Sequence, residues 1–558
     1  MHDANGAATP HMYAALLTKL SKIGVRGRAL AFIEALYTGS QVAVKKMDGS
    51  AGPPILVQRG VRQGCPLSPI LFDVFINDFA ARTTGPAVPI PPTPVRIASL
   101  LFADDVALTN TAIDSMETAL AISERWGNDN GISFGISKCE LMVTVIGGDM
   151  QELRDRQLRL AGEVVPVVDS YTYLGFPFST GSPSTSSSSP SSSSFSYAGM
   201  LKNAVRERKA RALRAVNAAT PFLMNRTIPL SFKLAALRGM LSPVITFGGE
   251  ILGLAKSRVQ PLESVWGKCV RSLVKGFGAC STMALLGELG LKHAHSVMSG
   301  MRARAFVKYP TLATHAALLC SDKLAGNKWY SETKRALQRL GISIPDDANP
   351  SKIATATAEA AEKQLWTAVL AQHTKNWCAR FWYRMGFGET TDYLRHYNNR
   401  VAERLDGGIT MLISARCGGL WTGATAAKRG LIPQQYLTAC PHCKTPLSAN
   451  KLETYGHILC VCPLWNTPRA LLAEAMARLP RNVDVSTSAL LLLGGKIGSH
   501  SAMANWQSGA ETPLYLCVAR FFQAIAAEYR AGIWQHATAS VSRRPLGYDS
   551  PTDPSGNG

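Results

Sequence analysis

The chain has 558 residues, 46% of them hydrophobic, and a formal net charge of +21 at pH 7. That length predicts about three to five domains of ~100–200 residues, and the charge favours a nucleic-acid partner. No apolar run reaches the ~18 residues of a membrane span, and the N-terminus carries no basic and apolar secretory leader. The 12 cysteines are scattered, apart from four between Cys440 and Cys462. These features exclude a helical membrane span and a disulfide-built secreted domain. They predict an intracellular protein with free thiols and one metal site.

Leu16, Leu17, Leu20 and Ile23, then Ala29, Ile33, Leu36 and Tyr37, recur at helical spacing, and Gly24 divides them into two helices. Residues 41–47 alternate as a strand, Asp48-Gly49 signals a hairpin turn, and 55–59 pairs back. Pro66-Leu67-Ser68-Pro69 opens a helix that runs to about Arg82. Residues 85–94 are proline-rich and predict no regular structure. A hairpin over 95–108, a helix over 114–130 and a strand-turn-strand over 132–147 follow. Residues 179–197 are mostly serine, a composition that cannot bury enough apolar surface to order itself. From about 198 to 436 the pattern is helical, with breaks at Pro310 and Pro345. Residues 437–465 are cysteine-rich, and the tail after 540 predicts disorder.

Within the hairpin, Ser99-Leu100-Leu101-Phe102-Ala103-Asp104-Asp105-Val106-Ala107-Leu108 sets two adjacent acids in an apolar run. Neighbours on a strand face opposite sides, so both carboxylates can serve one site only at a turn. Paired carboxylates in a basic chain point to divalent metal and phosphoryl transfer. Upstream, Arg62-Gln63-Gly64-Cys65-Pro66-Leu67-Ser68-Pro69 joins a glycine turn to a helix start, a natural site for a phosphate or template edge.

Together, residues 62–69 and Phe102-Ala103-Asp104-Asp105 resemble the reverse transcriptase palm, most closely that of non-LTR (LINE-like) retrotransposons. The resemblance continues in order. Gly131 through Cys139 looks like the next motif, in which Lys138 is a candidate general acid for pyrophosphate departure. Tyr171-Thr172-Tyr173-Leu174-Gly175 looks like the primer-grip hairpin, with Tyr173, Leu174 and Gly175 holding the primer end. The resemblance implies RNA-directed DNA polymerase activity by two-metal nucleotidyl transfer. It implies two Mg²⁺ ions in an intact relative, with Asp104 and Asp105 as ligands here. Arg62, Gln63, Gly64 and Phe102 would meet template or substrate. The implied partners are RNA template, DNA primer or target, and dNTPs.

The family pattern Asp-x-x-x-Ala-aromatic-Asp, ahead of Pro-His and an amphipathic helix, is met in part. Pro10-His11 and the residues to Leu20 fit the helix, and Asp3 and Ala7 keep the first acid and the alanine in register. Ala8 stands where an aromatic would exclude ribonucleotides, and Thr9 stands where the next acid is expected. Asp3 is therefore the candidate third ligand. The chain reads as an N-terminally truncated, partial and inactive copy that lacks fingers and endonuclease segments.

By the same resemblance residues 198–310 form a thumb. Its Arg206, Arg208, Lys209, Arg211 and Arg214 would contact phosphates and give salt-dependent affinity. Trp377, Phe381, Trp382 and Tyr383 read as helix core. Cys440, Cys443, His457 and Cys462, spaced Cys-x2-Cys, thirteen residues, His-x4-Cys, suit tetrahedral structural Zn²⁺. Cys460 competes with Cys462 as a ligand, and His442 reads as a bystander. The resemblance makes this a CCHC knuckle that binds target DNA or element RNA.

The expected fold class is α+β: a partial polymerase palm, an antiparallel sheet with helices, followed by an α-helical thumb and linker and a small zinc knuckle. The boundaries are 1–178 palm, 179–197 linker, 198–310 thumb, 311–436 helical linker region, 437–466 knuckle, 467–539 C-terminal helices and 540–558 tail. The leading reading is a partial LINE-like reverse transcriptase with nuclear localisation by resemblance. The alternative is a non-catalytic nucleic-acid-binding remnant that acts through the basic thumb and the knuckle.

Overall fold

The computed structural model describes residues 11–537 except 58–59, 63, 84–86, 144–149, 180–196, 226, 275–279, 315, 325, 373–376, 399–404, 449–450, 498–499 and 502–511. Asp3, Gln63, most of the serine-rich segment and the 540–558 tail lie outside the described residues. The chain divides into two compact units, residues 1–204 with 308–332, and residues 205–307 with 333–558.

The first unit mixes helices with two-stranded antiparallel sheets. Helices α1 (His11–Lys22), α2 (Gly27–Tyr37), α3 (Ser68–Arg82) and α4 (Ile113–Asn130) fall where the apolar spacing puts them. Their inward faces share one core, in which Leu16, Leu20, Ile33, Leu71, Phe75, Phe79 and Trp126 are buried. Lys19 ties α1 to α3, donating to the Phe75 carbonyl at 2.7 Å and to Asp78 at 2.8 Å.

Strands β1 (Gln41–Val42) and β2 (Ile55–Leu56) form the first hairpin, in the register Gln41↔Leu56. The proline-rich stretch departs from expectation: β3 (Val88–Pro89) pairs with β4 (Arg96–Ile97). This ladder is only two residues long, and a proline is tolerated on such an edge. Strands β5 (Ser99–Phe102) and β6 (Asp105–Leu108) form the hairpin expected there. Residues 132–143 form no strand pair. They make a tight turn at Ile136–Lys138, and Leu141 bridges in parallel to Val167. Helix α5 (Met150–Arg156) and the hairpins β7 (Arg159–Leu160) with β8 (Glu163–Val164), and β9 (Ser170–Tyr173) with β10 (Phe176–Ser179), complete the region. A second core of Leu120, Leu141, Leu153, Leu158, Leu160 and Val165 lies beneath it.

The second unit is mainly helical, with a short antiparallel pair, Lys496–Ile497 with His500–Ser501. Helix 406–416 crosses helix 514–534 at Gly408, where an added Cβ would lie 1.9 Å from the Ala519 carbonyl oxygen, so only glycine permits the approach. At the centre, Glu288 and Arg416 pair at 2.6 Å with their side chains fully buried. Trp382 and Tyr393 each donate to Glu288 at 2.7 Å. Arg416 donates further to the Leu493 and Phe387 carbonyls and to Thr390. Such a pair is tolerable in a core because its remaining donors and acceptors are also satisfied. Phe381 and Trp382 are core residues as expected, whereas Trp377 and Tyr383 are about half exposed. No helix among the described residues is long and apolar enough to cross a membrane.

Candidate active site and metal centre

The β5–β6 hairpin closes with Phe102 opposite Asp105, leaving Ala103 and Asp104 as the turn. Ala103 has φ +50 while Asp104 is not left-handed, the pattern of a type II′ turn. Alternation fails at this turn, so the two acids sit side by side on its tip. Both are exposed, and neither carboxylate forms a hydrogen bond or ion pair with a described residue. Leu101, Val106 and Leu108 root the hairpin in the core of Phe75 and Trp126. Two unpartnered carboxylates on a rigid base fit a hard divalent cation.

Hairpin β9–β10 turns at Leu174-Gly175, with φ +48 and +76, the type I′ pattern. Tyr171 and Tyr173 lie two apart on β9, on one face. Burial first, and then the charge of Asp105, raises both phenols above their ordinary range. The charge of Asp105 is thus felt at the expected primer-grip residue Tyr173. Tyr171 belongs with it and was not singled out from the sequence, although its i,i+2 spacing to Tyr173 was the available signal.

Arg62 and Gly64 lie in the loop ahead of α3. Arg62 donates to the Ser40 hydroxyl at 2.8 Å, and its carbonyl accepts from the Ser68 hydroxyl at 2.7 Å. Phe102 is 61% exposed beside the acids. Lys138 is exposed at the end of its turn and forms no ion pair with Asp104 or Asp105.

The proposed phosphate contacts lie on one helix, Tyr197–Met224. Arg206, Lys209 and Arg214 are exposed, and Arg211 is partly buried. Arg208 is a correction: it is 6% exposed, donates to the Val244 carbonyl at 2.7 Å and lies 4.4 Å from the Phe247 ring centre. A guanidinium engaged in this way braces the helix and does not reach a phosphate.

In the cysteine-rich segment, Cys440 and Cys443 lie on a turn closed by the Cys440 N–H to the Thr445 carbonyl and the Lys444 N–H to the Cys440 carbonyl, both at 2.9 Å. His457 and Cys462 are joined by a π-helical turn, with the Cys462 N–H donating to the His457 carbonyl at 2.6 Å. The three sulfurs and the imidazole nitrogen lie within 4.8 Å of one another. Metal–ligand bonds of ~2.0–2.3 Å draw such donors into a tetrahedron with edges of ~3.3–3.8 Å, so the set fits zinc with no open position. Hydrogen bonds from Cys462 and His457 hold the Cys440 thiol well below its ordinary range, while the same bond to Cys440 raises Cys462. Cys460 lies outside the cluster, and burial pushes it up to about 11. His442 turns away and stacks on Tyr529 with ring centres 4.8 Å apart. This is the one such cluster of three or more metal-ligating side chains among the described residues.

The family model for reverse transcriptase (RNA-dependent DNA polymerase) matches residues 13–178. Two Pol polyproteins from the type-1 retrotransposable element R2 of Popillia japonica are similar to this chain. One is 25% identical over 30% of this chain and 28% of its own length, and the other is 26% identical over 32% and 26%. The transposon TX1 149 kDa protein of Xenopus laevis is 25% identical over 29% of this chain and 14% of its own length. The chain therefore spans between 14% and 28% of these relatives. The matched span holds the Asp104-Asp105 turn, the loop before α3 and the Leu174-Gly175 hairpin. Residues 13–178 thus match the reverse transcriptase family model and are similar to segments of the R2 and TX1 retrotransposon proteins.

Proposed function

We propose that the domain is built for two-metal nucleotidyl transfer on an RNA template and DNA primer, and that this chain binds such nucleic acid while polymerising negligibly. The observation that carries the proposal is the pair of exposed carboxylates without a hydrogen-bond or ion-pair partner among the described residues at the β5–β6 tip, the charge of Asp105 reaching the tyrosines of β9. Asp104 is the direct Mg²⁺ ligand, and Asp105 is ligand or support. Bound there, magnesium would supply charge stabilisation for the entering and leaving oxygens. The chain's own part is positioning. Arg62, Gln63, Gly64 and Phe102 orient template and incoming dNTP. Tyr173, Leu174 and Gly175 hold the primer end, and Lys138 offers a proton to the departing pyrophosphate.

Residues 1–178 would act as palm and 198–310 as thumb, with Arg206, Lys209, Arg211 and Arg214 on phosphates. Residues 437–466, holding Zn²⁺, would grip target DNA or element RNA in the nucleus. Low activity follows from Thr9, which leaves Asp3 as the remaining acid of that motif. Thr9 is also what favours the second reading, a non-catalytic binding module. Primer extension with Mg²⁺, dNTPs and an annealed RNA template tests the proposal. The expected result is binding without extension; template-dependent extension that is lost in Asp104→Ala would refute the inactivity.

A further inference from the structure

The loop that carries Arg62 and Gly64 has left-handed glycines at both ends, Gly60 at φ +80 and Gly64 at φ +84. A Cβ at either would meet nothing within 4 Å. The glycines therefore serve backbone conformation, and the space around them is open. A glycine-flanked loop is costly to order, yet this one is held by side chains at several points. The Tyr13 hydroxyl donates to the Gly60 carbonyl at 3.0 Å across 47 residues of chain. The Tyr13 ring stacks on Tyr37 of α2, with centres 5.3 Å apart and planes 29° apart. Arg62 is tied to Ser40, and the Ser68 hydroxyl holds the Arg62 carbonyl.

We propose that Tyr13 is a positioning residue for nucleic-acid binding: its hydroxyl pins Gly60 and so holds the backbone that carries Arg62 and Gly64 toward the template. This rests on the nucleic-acid reading above. A loop ordered before binding spares the complex that ordering cost. The ring is aimed by stacking, which a phenylalanine would preserve, so the hydroxyl carries the tether alone. Burial, then the nearby Tyr37, raises the Tyr13 phenol, so it stays a donor at neutral pH. Tyr37 provides an internal control, because its own hydroxyl is buried and has no hydrogen-bond partner among the described residues.

The test compares the full chain with Tyr13→Phe and Tyr37→Phe. It uses three readouts: affinity for a labelled RNA-template/DNA-primer duplex, hydrogen exchange in a peptide covering 60–68, and the melting temperature. Tyr13→Phe is expected to bind about three- to tenfold more weakly, to exchange faster in that peptide and to melt at the wild-type temperature. Tyr37→Phe should bind and exchange as wild type. Unchanged affinity and protection in Tyr13→Phe overturn the proposal alone, as does a lowered melting temperature with full affinity below it. A wild type that fails to bind the duplex overturns the nucleic-acid reading and the proposal with it.

Discussion

Phe102 and Asp105 form the last pair of the β5–β6 ladder, so that Asp104 occupies the turn itself and Asp105 begins the returning strand. This geometry depends on Ala103, whose φ of +50 is unfavourable for a residue with a Cβ. A β-branched residue tolerates that region least. Ala103→Val should therefore lower stability by about 1–3 kcal/mol, whereas Ala103→Gly should leave it within ~1 kcal/mol, its relief of strain offset by chain entropy. Urea unfolding of the two variants checks both.

The zinc-ligand segment is packed into the helical unit. His442, between Cys440 and Cys443, stacks on Tyr529 of helix 514–534 and meets Trp465 in a T-shaped contact with ring centres 5.4 Å apart. One zinc per chain is expected by elemental analysis. Cys462→Ser should lose it, and Cys460→Ser should keep it. Chelation should speed hydrogen exchange in helix 514–534 as well as in 440–462, because metal binding and local folding are linked.

On helix Tyr197–Met224 the exposed and buried cations should behave differently. Replacing Arg206, Lys209 and Arg214 together with alanine should weaken binding to any sequence. It should also flatten the dependence of log affinity on log salt by roughly 0.7–0.9 per lost phosphate contact. Arg208→Ala should leave that slope unchanged and lower the melting temperature, since it removes a bond to Val244 and leaves that carbonyl unpaired.

His293 and Glu362 pair at 2.7 Å, with Ser296 donating to the same carboxylate. Burial alone would lower His293, but the hydrogen bond and charge of Glu362, with Glu263, outweigh it and leave the imidazole raised. Burial would raise Glu362, but the His293 and Ser296 bonds leave it lowered. A raised histidine stabilises fully below its unfolded value of ~6.5 and loses that contribution as pH rises through its folded value. A lowered glutamate stabilises above its unfolded value of ~4.3 and loses that contribution as pH falls through its folded value. The pair therefore contributes most near pH 5–6. Wild type should outlast His293→Gln by more at pH 5.5 than at pH 8 in thermal melts, and an equal gap would contradict the pairing.

What could be read in advance followed from local chemistry. Leu16, Leu20, Ile33 and Phe75 announced their helices because burial imposes the helical period on apolar residues. The turn at Asp104 was legible because two adjacent acids cannot share a face on a strand. What stayed hidden depended on distant neighbours or unusual backbone. The family spacing already favours Cys462 over Cys460 as the ligand, but its physical cause did not show in the sequence: a π-helical turn, not an α-helical one, joins His457 to Cys462. Arg208 looked like a surface cation until Val244 and Phe247 enclosed it. Tyr13 had no role legible in the sequence, because Gly60, its partner, lies 47 residues away.

The most direct measurement is primer extension by the purified chain on an annealed RNA template with Mg²⁺ and dNTPs, paired with binding of the same duplex. Two acids at the β5–β6 tip, with Thr9 in place of the further one, predict that the duplex binds and no extended product forms. Template-dependent extension that vanishes in Asp104→Ala would contradict the inactivity, and failure to bind the duplex would contradict the nucleic-acid reading itself.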